Sequence, residues 1–397
     1  MRNTTKTLLM VSALMGISFS AAEANDTPAT QSQRWWFDGR LRVETVDQNN
    51  GLRDANAITL RSRLGFQTDS YGDFGFLVEA ENIFALQDDY NSTTNGQTDR
   101  GVVPDPEDTE VNRVQLTYNG FDDTRITLGR QRLLFDNARF IGNVAWRQNE
   151  QTFDALSVKN TSLQDTTIEV AYVSSVRRIF GPDSPNGTTD MRSPLIHVQY
   201  NGYDKAQVSV YGYFLDFEDA PDNSNQTLGF RIKGNSTVDK LPIDYVVEYA
   251  RQLDYKSGVD AIDADYVHAG AGVKIGGIRV AIDYELLSGD GTYGFQTPLA
   301  TAHAFNGWAD LFLTTPAEGL ADINVSVNAV VKGTKLRAVY HQFDADTGSQ
   351  NYGSEINFIA TRKFGERLSA GLKFADYSAD ERGVDTTKFW MWAGVKY

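Results

Sequence analysis

Apolar and polar residues alternate one by one along most of the chain. In the segment 58–67, Ile58, Leu60, Leu64 and Phe66 occupy one set of alternate positions, and polar residues fill most of the other set. A period of two residues is the signature of a β-strand with one apolar face. No window of useful length shows the helical period, so the pattern predicts an all-β protein.

The same alternation recurs and predicts about eighteen strands, with sixteen as the alternative count. Many of them are 10 to 14 residues long, whereas strands of globular sheets usually have about five or six residues. A tilted strand of about 9–11 residues is long enough to cross a bilayer. The predicted strands are 36–46, 58–68, 73–86, 110–119, 124–134, 152–162, 166–179, 194–202, 206–217, 226–235, 241–253, 264–275, 277–287, 319–332, 335–344, 353–363, 367–378 and 388–397.

The connections between these strands alternate in length. Connections after even-numbered strands are short, as at 69–72, and those after odd-numbered strands are longer, as at 87–109 and 288–318. Tight turns on one rim and long loops on the other are typical of outer-membrane barrels. Because an unpaired backbone group costs several kcal/mol in hydrocarbon, a sheet that spans a membrane must close on itself. We therefore predict a transmembrane antiparallel up-and-down β-barrel, with a large secreted β-sandwich or β-solenoid as the soluble alternative.

The N-terminus predicts export from the cytoplasm. Arg2 and Lys6 precede an apolar run at 8–19, and Ala22 and Ala24 are small residues at the positions that a signal peptidase reads. No later segment approaches the length of an apolar transmembrane helix. The predicted organisation is a signal peptide at 1–24, a short periplasmic segment at 25–35 and an outer-membrane barrel at 36–397.

Composition excludes several functional classes. The chain has no Cys, which excludes disulfides, Cys-ligated metals and a Cys nucleophile. It has only four His residues, and none lies at a recognisable catalytic spacing from a Ser or Asp. We therefore expect no enzymatic activity, no cofactor and no metal site. The net charge of -15 disfavours a nucleic-acid partner.

The polar positions of the early strands would line the barrel with arginine. We name this predicted group the guanidinium wall. Arginine pairs bidentately with carboxylates, so an unneutralised cluster would favour an anionic solute. Internal pairing with Glu and Asp, which would only stiffen the barrel, is the alternative. The predicted lining residues are Arg40, Arg42, Arg61, Arg63, Glu79, Glu81, Arg113 and Arg125, with Arg231 and Lys233 on a later strand.

Two arginines do not fit the simple alternation. Arg130 and Arg132 share the phase of Ile126 and Leu128, so a regular strand would point them into lipid. An Arg at the middle of a bilayer costs roughly 2–4 kcal/mol. We therefore expect a bulge near Gly129 that turns both inward, or a position beyond the membrane rim.

Two loops have unusual compositions, and a third loop is rich in acidic residues. The segments 135–151 and 295–310 combine aromatic residues with amides and charges, and we expect them to fold into the barrel mouth and narrow it. Their rings and amides also suit saccharides. The acids of the 87–109 loop and its flanks, Asp105 among them, are expected to be solvated rather than to bind Ca²⁺, since no metal-ligand spacing is present.

Several motifs resemble the alginate-export porin family of Gram-negative outer membranes. They are the segments 128–132, 139–148, 152–154, 297–301 and 305–310. The resemblance implies an 18-stranded barrel whose arginine-lined pore passes an anionic uronate polymer. It also implies that Arg130, Arg132, Arg139 and Arg147 are pore or constriction residues, with Asp154 as a counter-charge.

Together these features predict an outer-membrane porin with a water-filled channel for passive passage of anionic solutes, uronate oligosaccharides or polysaccharides among them. Its expected partners are outer-membrane lipid, lipopolysaccharide and an anionic or saccharide solute. A non-selective porin, a non-conducting structural or adhesive barrel and, last, an outer-membrane hydrolase are the alternatives. The sequence leaves the natural solute, the direction of transport and the oligomeric state open.

Overall fold

The computed structural model describes residues 34–397, which are built almost entirely of β-strand. The predicted signal peptide and most of the segment 25–35 lie outside the described residues. The strands are β1 (Trp35–Gln48), β2 (Ala55–Gln67), β3 (Phe74–Asp89), β4 (Asp108–Phe121), β5 (Thr124–Gln131), β6 (Thr152–Asn160), β7 (Thr166–Arg177), β8 (Thr188–Tyr203), β9 (Ala206–Leu215), β10 (Asn225–Val238), β11 (Leu241–Asp254), β12 (Asp263–Ile275), β13 (Ile278–Leu287), β14 (Leu320–Val331), β15 (Thr334–Asp344), β16 (Asn351–Phe364), β17 (Leu368–Ala379) and β18 (Thr386–Lys396).

The sheet closes on itself. Each strand pairs antiparallel with its neighbours in the chain, and β1 pairs with both β2 and β18. The closing ladder runs from Asp38 opposite Lys396 to Gln48 opposite Thr386. No strand edge is therefore left unpaired in the ring. The predicted all-β, up-and-down barrel of eighteen strands is confirmed.

Loop length follows the predicted parity. Turns after even-numbered strands are short, and in some of them both central residues adopt positive φ, as Gly276 (φ 55°) and Gly277 (φ 89°) do between β12 and β13. Such turns match the twist of the strands that they join. The connections after odd-numbered strands are longer and lie on the opposite rim. Three of them matter for the site: the β3–β4 loop (90–107), the β5–β6 loop (132–151) and the β13–β14 loop (288–319).

The two faces of the barrel invert the usual distribution of residues. On β2, the apolar residues Leu60 and Leu64 are exposed on the outside, whereas Arg61 and Arg63 are each only 4% exposed on the inside. Charged residues are rarely buried in water-soluble proteins unless they are paired. The inner face must therefore supply partners for these charges. Among residues 34–397, no helix is long and apolar enough to cross a bilayer.

Gly129 does not form the predicted bulge. The β4–β5 ladder runs in register through this position, with Leu116 opposite Leu128 and Val114 opposite Arg130. Gly129 instead adopts a φ of +117°, and a Cβ on it would lie 2.3 Å from the carbonyl oxygen of Val114. Only glycine allows this close approach of the two backbones.

The first prediction concerns this close approach. Gly129→Ala should lower the free energy of unfolding by roughly 1–3 kcal/mol, because the backbone conformation becomes strained and the new methyl group meets a carbonyl oxygen. Urea titration of the detergent-refolded protein measures this change. Gly75→Ala on β3 is the control, since no atom lies within 4 Å of a Cβ there. Equal stability of the two variants would contradict the argument.

Candidate functional site

The β5–β6 and β13–β14 loops fold into the barrel and contact its inner wall, as predicted. Gln148 of the first loop donates a hydrogen bond of 2.8 Å to the hydroxyl of Thr59 on β2. The backbone N–H of Ala309 in the second loop donates to Glu355 on β16 over 3.0 Å. The two loops therefore contact the inner wall at different strands.

The two loops also pair with each other. The N–H of Gly142 donates to the carbonyl of Leu299 (2.9 Å), and the N–H of Thr301 donates to the carbonyl of Ala138 (3.0 Å). The side-chain amide of Gln151 donates to the same Leu299 carbonyl over 3.0 Å. Backbone bonds of this kind join the loops into one body, which we name the lumenal plug.

The start of the β5–β6 loop is anchored on β8 and β9. His197 Nε2 lies 2.8 Å from a carboxylate oxygen of Asp136, and the Ser209 hydroxyl donates to the other oxygen over 2.7 Å. The ring of Phe135 stacks on His197 at 5.1 Å. Burial raises the pKa of Asp136, but the bonds from His197 and Ser209 outweigh burial and leave the pKa below its ordinary value.

Most of the guanidinium wall is neutralised by carboxylates. Arg113 donates two hydrogen bonds of 3.0 Å to Glu79, and Arg61 donates one of 2.6 Å to Asp38. For these residues the structure shows the alternative raised by the sequence, in which the arginines pair with Glu and Asp inside the barrel. The remaining pairs include Arg42–Glu44, Arg42–Asp105, Arg63–Glu81, Arg132–Glu79, Arg132–Glu150 and Arg147–Glu44.

Glu150 is the centre of this network. It is fully buried, and it accepts hydrogen bonds from Arg132 Nε (2.8 Å), Asn112 (2.6 Å) and Asn143 (2.9 Å). Arg63 lies 3.6 Å away. Burial raises the pKa of Glu150, but the charges of Arg132 and Arg63 outweigh burial, so the net pKa is well below its usual range. Glu150 thus joins the loop to the walls of β2 and β4 as an anion.

Asp105 differs from the prediction. It was expected to be a solvated loop acid, but it is 0% exposed. It forms an ion pair with Arg42 and accepts a hydrogen bond of 3.0 Å from the backbone N–H of Gln148. The β3–β4 loop therefore enters the lumen as well, because Asp105 is the counter-charge that buried Arg42 needs.

Arg40, on β1, has no carboxylate partner among the described residues. Its guanidinium donates to Gln148 Oε1 (2.9 Å) and to the carbonyls of Ala145 (3.2 Å), Trp146 (3.1 Å) and Arg147. Arg61, a like charge, is directly opposite Arg40 in the β1–β2 ladder. Arg40 is also partly exposed. Its positive charge therefore has no ion-pair partner within residues 34–397.

Arg130 and Asp154 lie on the outer face, which differs from the predicted lining. Arg130 is directly opposite Val114 and Asp154 in its two ladders, and directly opposed residues share a face. Val114 and Leu128 on that face are exposed apolar residues. The Arg130 Nε–Asp154 Oδ1 distance is 2.9 Å. Arg132 does turn inward, because β5 ends one residue earlier and the chain leaves the ladder.

The remaining predicted residues line the interior at different heights. Arg139 in the β5–β6 loop forms an ion pair of 2.8 Å with Glu285 on β13. Arg231 on β10 is paired with Glu248 on β11. Two further predicted cations, Arg125 on β5 and Lys233 on β10, lie on inward positions near the short-turn rim; both are exposed and no ion pair is seen for either within residues 34–397.

A second cluster, at Asp310, was not recognised from the sequence. Asp310 lies 2.6 Å from His303 Nδ1, 3.0 Å from Arg147 and 3.2 Å from Lys388. Burial lowers the pKa of His303 to about 3, so the ring is neutral at neutral pH. Burial raises the pKa of Asp310, but the surrounding positive groups outweigh burial and hold the pKa well below 3.8. The loop motif 303–310 was visible in the sequence, but its partners on β17 and β18 were not.

The chemistry of this site is that of charge pairing. Within the part of the chain that the structure describes, no group of three or more His, Asp or Glu side chains could hold a metal ion. The arginines and carboxylates fix loops to strands, whereas no ion pair is seen for Arg40, Arg125 or Lys233 among the described residues.

Solved structures with the same architecture support the fold. The chain superposes on OccAB4 of Acinetobacter baumannii with a TM-score of 0.72 and 16% identity, over 91% of this chain and 97% of that one. It superposes on OccK9 (OpdG) of Pseudomonas aeruginosa with a TM-score of 0.73 and 12% identity, over 91% of this chain and 98% of that one. For the outer membrane protein OpdK of the same species, the TM-score is 0.71 and the identity 12%, over 91% of this chain and 98% of that one.

At these identities the likeness establishes the fold. No family model matches the chain, and no curated protein matches it either. The structural matches named here are Occ and Opd proteins, so the resemblance to the alginate-export family stays a sequence-based prediction.

The second prediction tests the centre of the charge network. Glu150→Gln should lower the free energy of unfolding by roughly 3–5 kcal/mol, because it leaves buried guanidinium groups without their counter-charge. Urea titration measures this loss, and amide exchange should be faster in the β5–β6 loop. Glu169→Gln is the control: its partner Lys159 is exposed, so the change should stay below about 1 kcal/mol. Equal losses in the two variants would reject a central role for Glu150.

The third prediction concerns acid. The folded-state pKa of His303 is about 3, below its ordinary 6.5. The stability that the neutral ring gives the folded loop is therefore fully present above pH 6.5 and is lost as the pH falls towards 3. The lowered pKa of Asp310 acts in the same direction. Amide exchange of the β13–β14 loop, corrected for intrinsic rates, should therefore accelerate on acidification. His303→Gln should flatten this dependence; an unchanged pH profile in the variant would refute the assignment.

Proposed function

We propose that the protein is an outer-membrane porin that passes anionic solutes passively. The observation that supports this proposal most strongly is the closed ring of strands, which has an apolar exterior and a charged interior. A ring leaves no unpaired backbone edge in hydrocarbon, and the outward Leu and Val residues suit acyl chains. The likeness to OpdK, described as an outer membrane protein, supports the same location.

The charge of the lumen supports an anionic solute. Ion pairing leaves Arg40 at the plug and Arg125 and Lys233 near the short-turn rim as cations without carboxylate partners among the described residues. Lining charge and width set the selectivity of such pores. An anion in the lumen would meet these positive charges. A carboxylate at Arg40 would replace some of the amide and carbonyl oxygens to which this guanidinium donates. Uronate oligosaccharides are one class of solute with this charge.

The packing of the plug favours a second candidate, a non-conducting structural barrel. The two loops contact each other and several strands of the wall, which is also what a sealed cylinder would need. Conductance separates the two functions. Refolded protein in a planar bilayer should give discrete current steps, and a barrel that stays silent at all voltages would end the porin proposal.

The fourth prediction identifies Arg40 as a selectivity residue. Under a KCl gradient the reversal potential of the wild-type protein should indicate anion preference. Arg40→Gln should move the permeability ratio towards cations, because it removes a lumenal guanidinium that has no ion pair among the described residues. Uronate oligomers should block the wild-type current more strongly than that of the variant.

Arg130→Gln is the matched control for this experiment. It removes the same kind of charge from the outer face, so the reversal potential should not change. An equal shift in both variants would show that Arg40 does not act from the lumen. A wild-type pore with cation preference would exclude the anionic solute while leaving the porin function in place.

A further inference from the structure

One ammonium group is enclosed by aromatic rings where the plug meets the wall. The Nζ atom of Lys373 lies 3.9 Å from the ring centroid of Trp308, 4.3 Å from that of Trp146 and 5.5 Å from that of Trp390. Lys373 is only 4% exposed. A desolvated cation held over several indole faces is strongly attracted by the negative potential of the rings. We name this arrangement the tryptophan cage.

The cage is assembled from four separate parts of the chain. Lys373 comes from β17 and Trp390 from β18, whereas Trp146 belongs to the β5–β6 loop and Trp308 to the β13–β14 loop. The ring of His303, in the second loop, stacks on Trp146 with centroids 4.9 Å apart and an angle of 6°. A single side chain on the wall therefore contacts both halves of the plug.

The polar partner of Lys373 is a neutral ring. Its Nζ lies 2.6 Å from His303 Nε2, and no carboxylate oxygen lies within ion-pair distance of Lys373 in residues 34–397. His303 Nδ1 is 2.6 Å from Asp310, which requires the proton to be on Nδ1. The lone pair on Nε2 is then free to accept from the ammonium. The ion pairs that fix the plug elsewhere are replaced here by rings and one imidazole.

We propose that Lys373 is a positioning residue that acts as a built-in alkylammonium ligand and fastens both loops of the plug to β17 and β18. The tryptophan cage is then a binding site for a primary alkylammonium group, occupied by the protein's own side chain. Part of this inference, the effect on current, rests on the proposed porin function. The fastening itself does not, because it concerns only the contacts between loops and wall.

The first test replaces the ammonium and keeps the volume. Lys373→Met should make amide exchange around Trp146 and Trp308 at least about tenfold faster, since loss of a desolvated cation–π contact favours loop opening by about that factor. Lys373→Arg should restore slow exchange, because a guanidinium also binds ring faces. Lys233→Met, which removes an exposed lumenal lysine outside the cage, is the matched control and should not change exchange in the plug.

A second variant guards against misfolding. Trp308→Leu removes one wall of the cage and leaves Lys373 in place, and it should accelerate exchange in the same two loops. Strand protection and heat-modifiable electrophoretic mobility report whether each barrel is folded. Unchanged exchange in folded Lys373→Met would overturn the proposal, as would acceleration that Lys373→Arg fails to reverse.

The ligand class is tested by chemical complementation. Lys373→Ala leaves the cage without its ammonium, and added n-propylammonium should slow loop exchange again in a saturable manner. Propan-1-ol, which has a similar size and no charge, should have no such effect. Equal effects of the two compounds, or none from the amine, would reject an ammonium site.

Conductance separates this inference from the function on which it partly rests. In planar bilayers, Lys373→Met should raise single-channel conductance or add flickering between levels, and n-propylammonium should suppress the change in Lys373→Ala. A silent wild-type protein would remove the porin function and leave the exchange experiments valid. A conducting wild-type protein with identical current in Lys373→Met would overturn the role of the cage in the constriction.

Discussion

Buried charge is the constraint on which the rest of this structure depends. A barrel whose inner face carries arginines on β1, β2, β4 and β5 cannot leave them dry and unpaired, since removing one partner of a buried ion pair typically costs about 3–5 kcal/mol. The carboxylates of the same wall, Glu79 and Glu81 among them, meet part of this demand. Asp105 and Glu150 meet the rest, and both come from loops. Electrostatics therefore draws the loops into the lumen.

The ring of strands makes this arrangement workable. Because β1 pairs with β18, backbone hydrogen bonding along the strands is complete without any help from side chains. The outer face is then free to be apolar, and the inner face is free to be charged. The loops are not needed to close the sheet, so their residues can pack against the inner wall instead. The scaffold is set by periodicity, and the interior is set by particular residues.

The sequence predicted the scaffold well for this reason. Period-two alternation is a local property, and every one of the strands was located from it, together with the parity of loop lengths. The contacts inside the barrel are not local. Asp105 meets Arg42 across 63 positions, and Trp146 meets Lys373 across a still longer separation, so no spacing in the sequence reports either contact.

Arg130 shows a different limit of sequence reasoning. Its outward phase was visible, and the expectation that it turns inward came from the cost of an Arg in lipid. The structure resolves the conflict by pairing Arg130 with Asp154, which also pairs with Arg177, on the outer face near the long-loop rim. A neighbouring carboxylate on the same face satisfied the charge without a bulge, and the cross-strand register that brings them together cannot be obtained from one strand alone.

Two kinds of contact hold the plug, and they differ in the negative charge that they bring into the lumen. Ion pairs fasten it to β1–β4, where every guanidinium except that of Arg40 is matched by an acid. On β18, Lys388 also forms an ion pair with the plug, through Asp310. Lys373 on β17 instead contacts tryptophan rings and His303, where an acid would have been the ordinary partner. An additional carboxylate there would have made the lumen more negative. Rings hold the ammonium without adding negative charge, so the unpaired cations of the interior, on which the proposed anion path depends, are not neutralised.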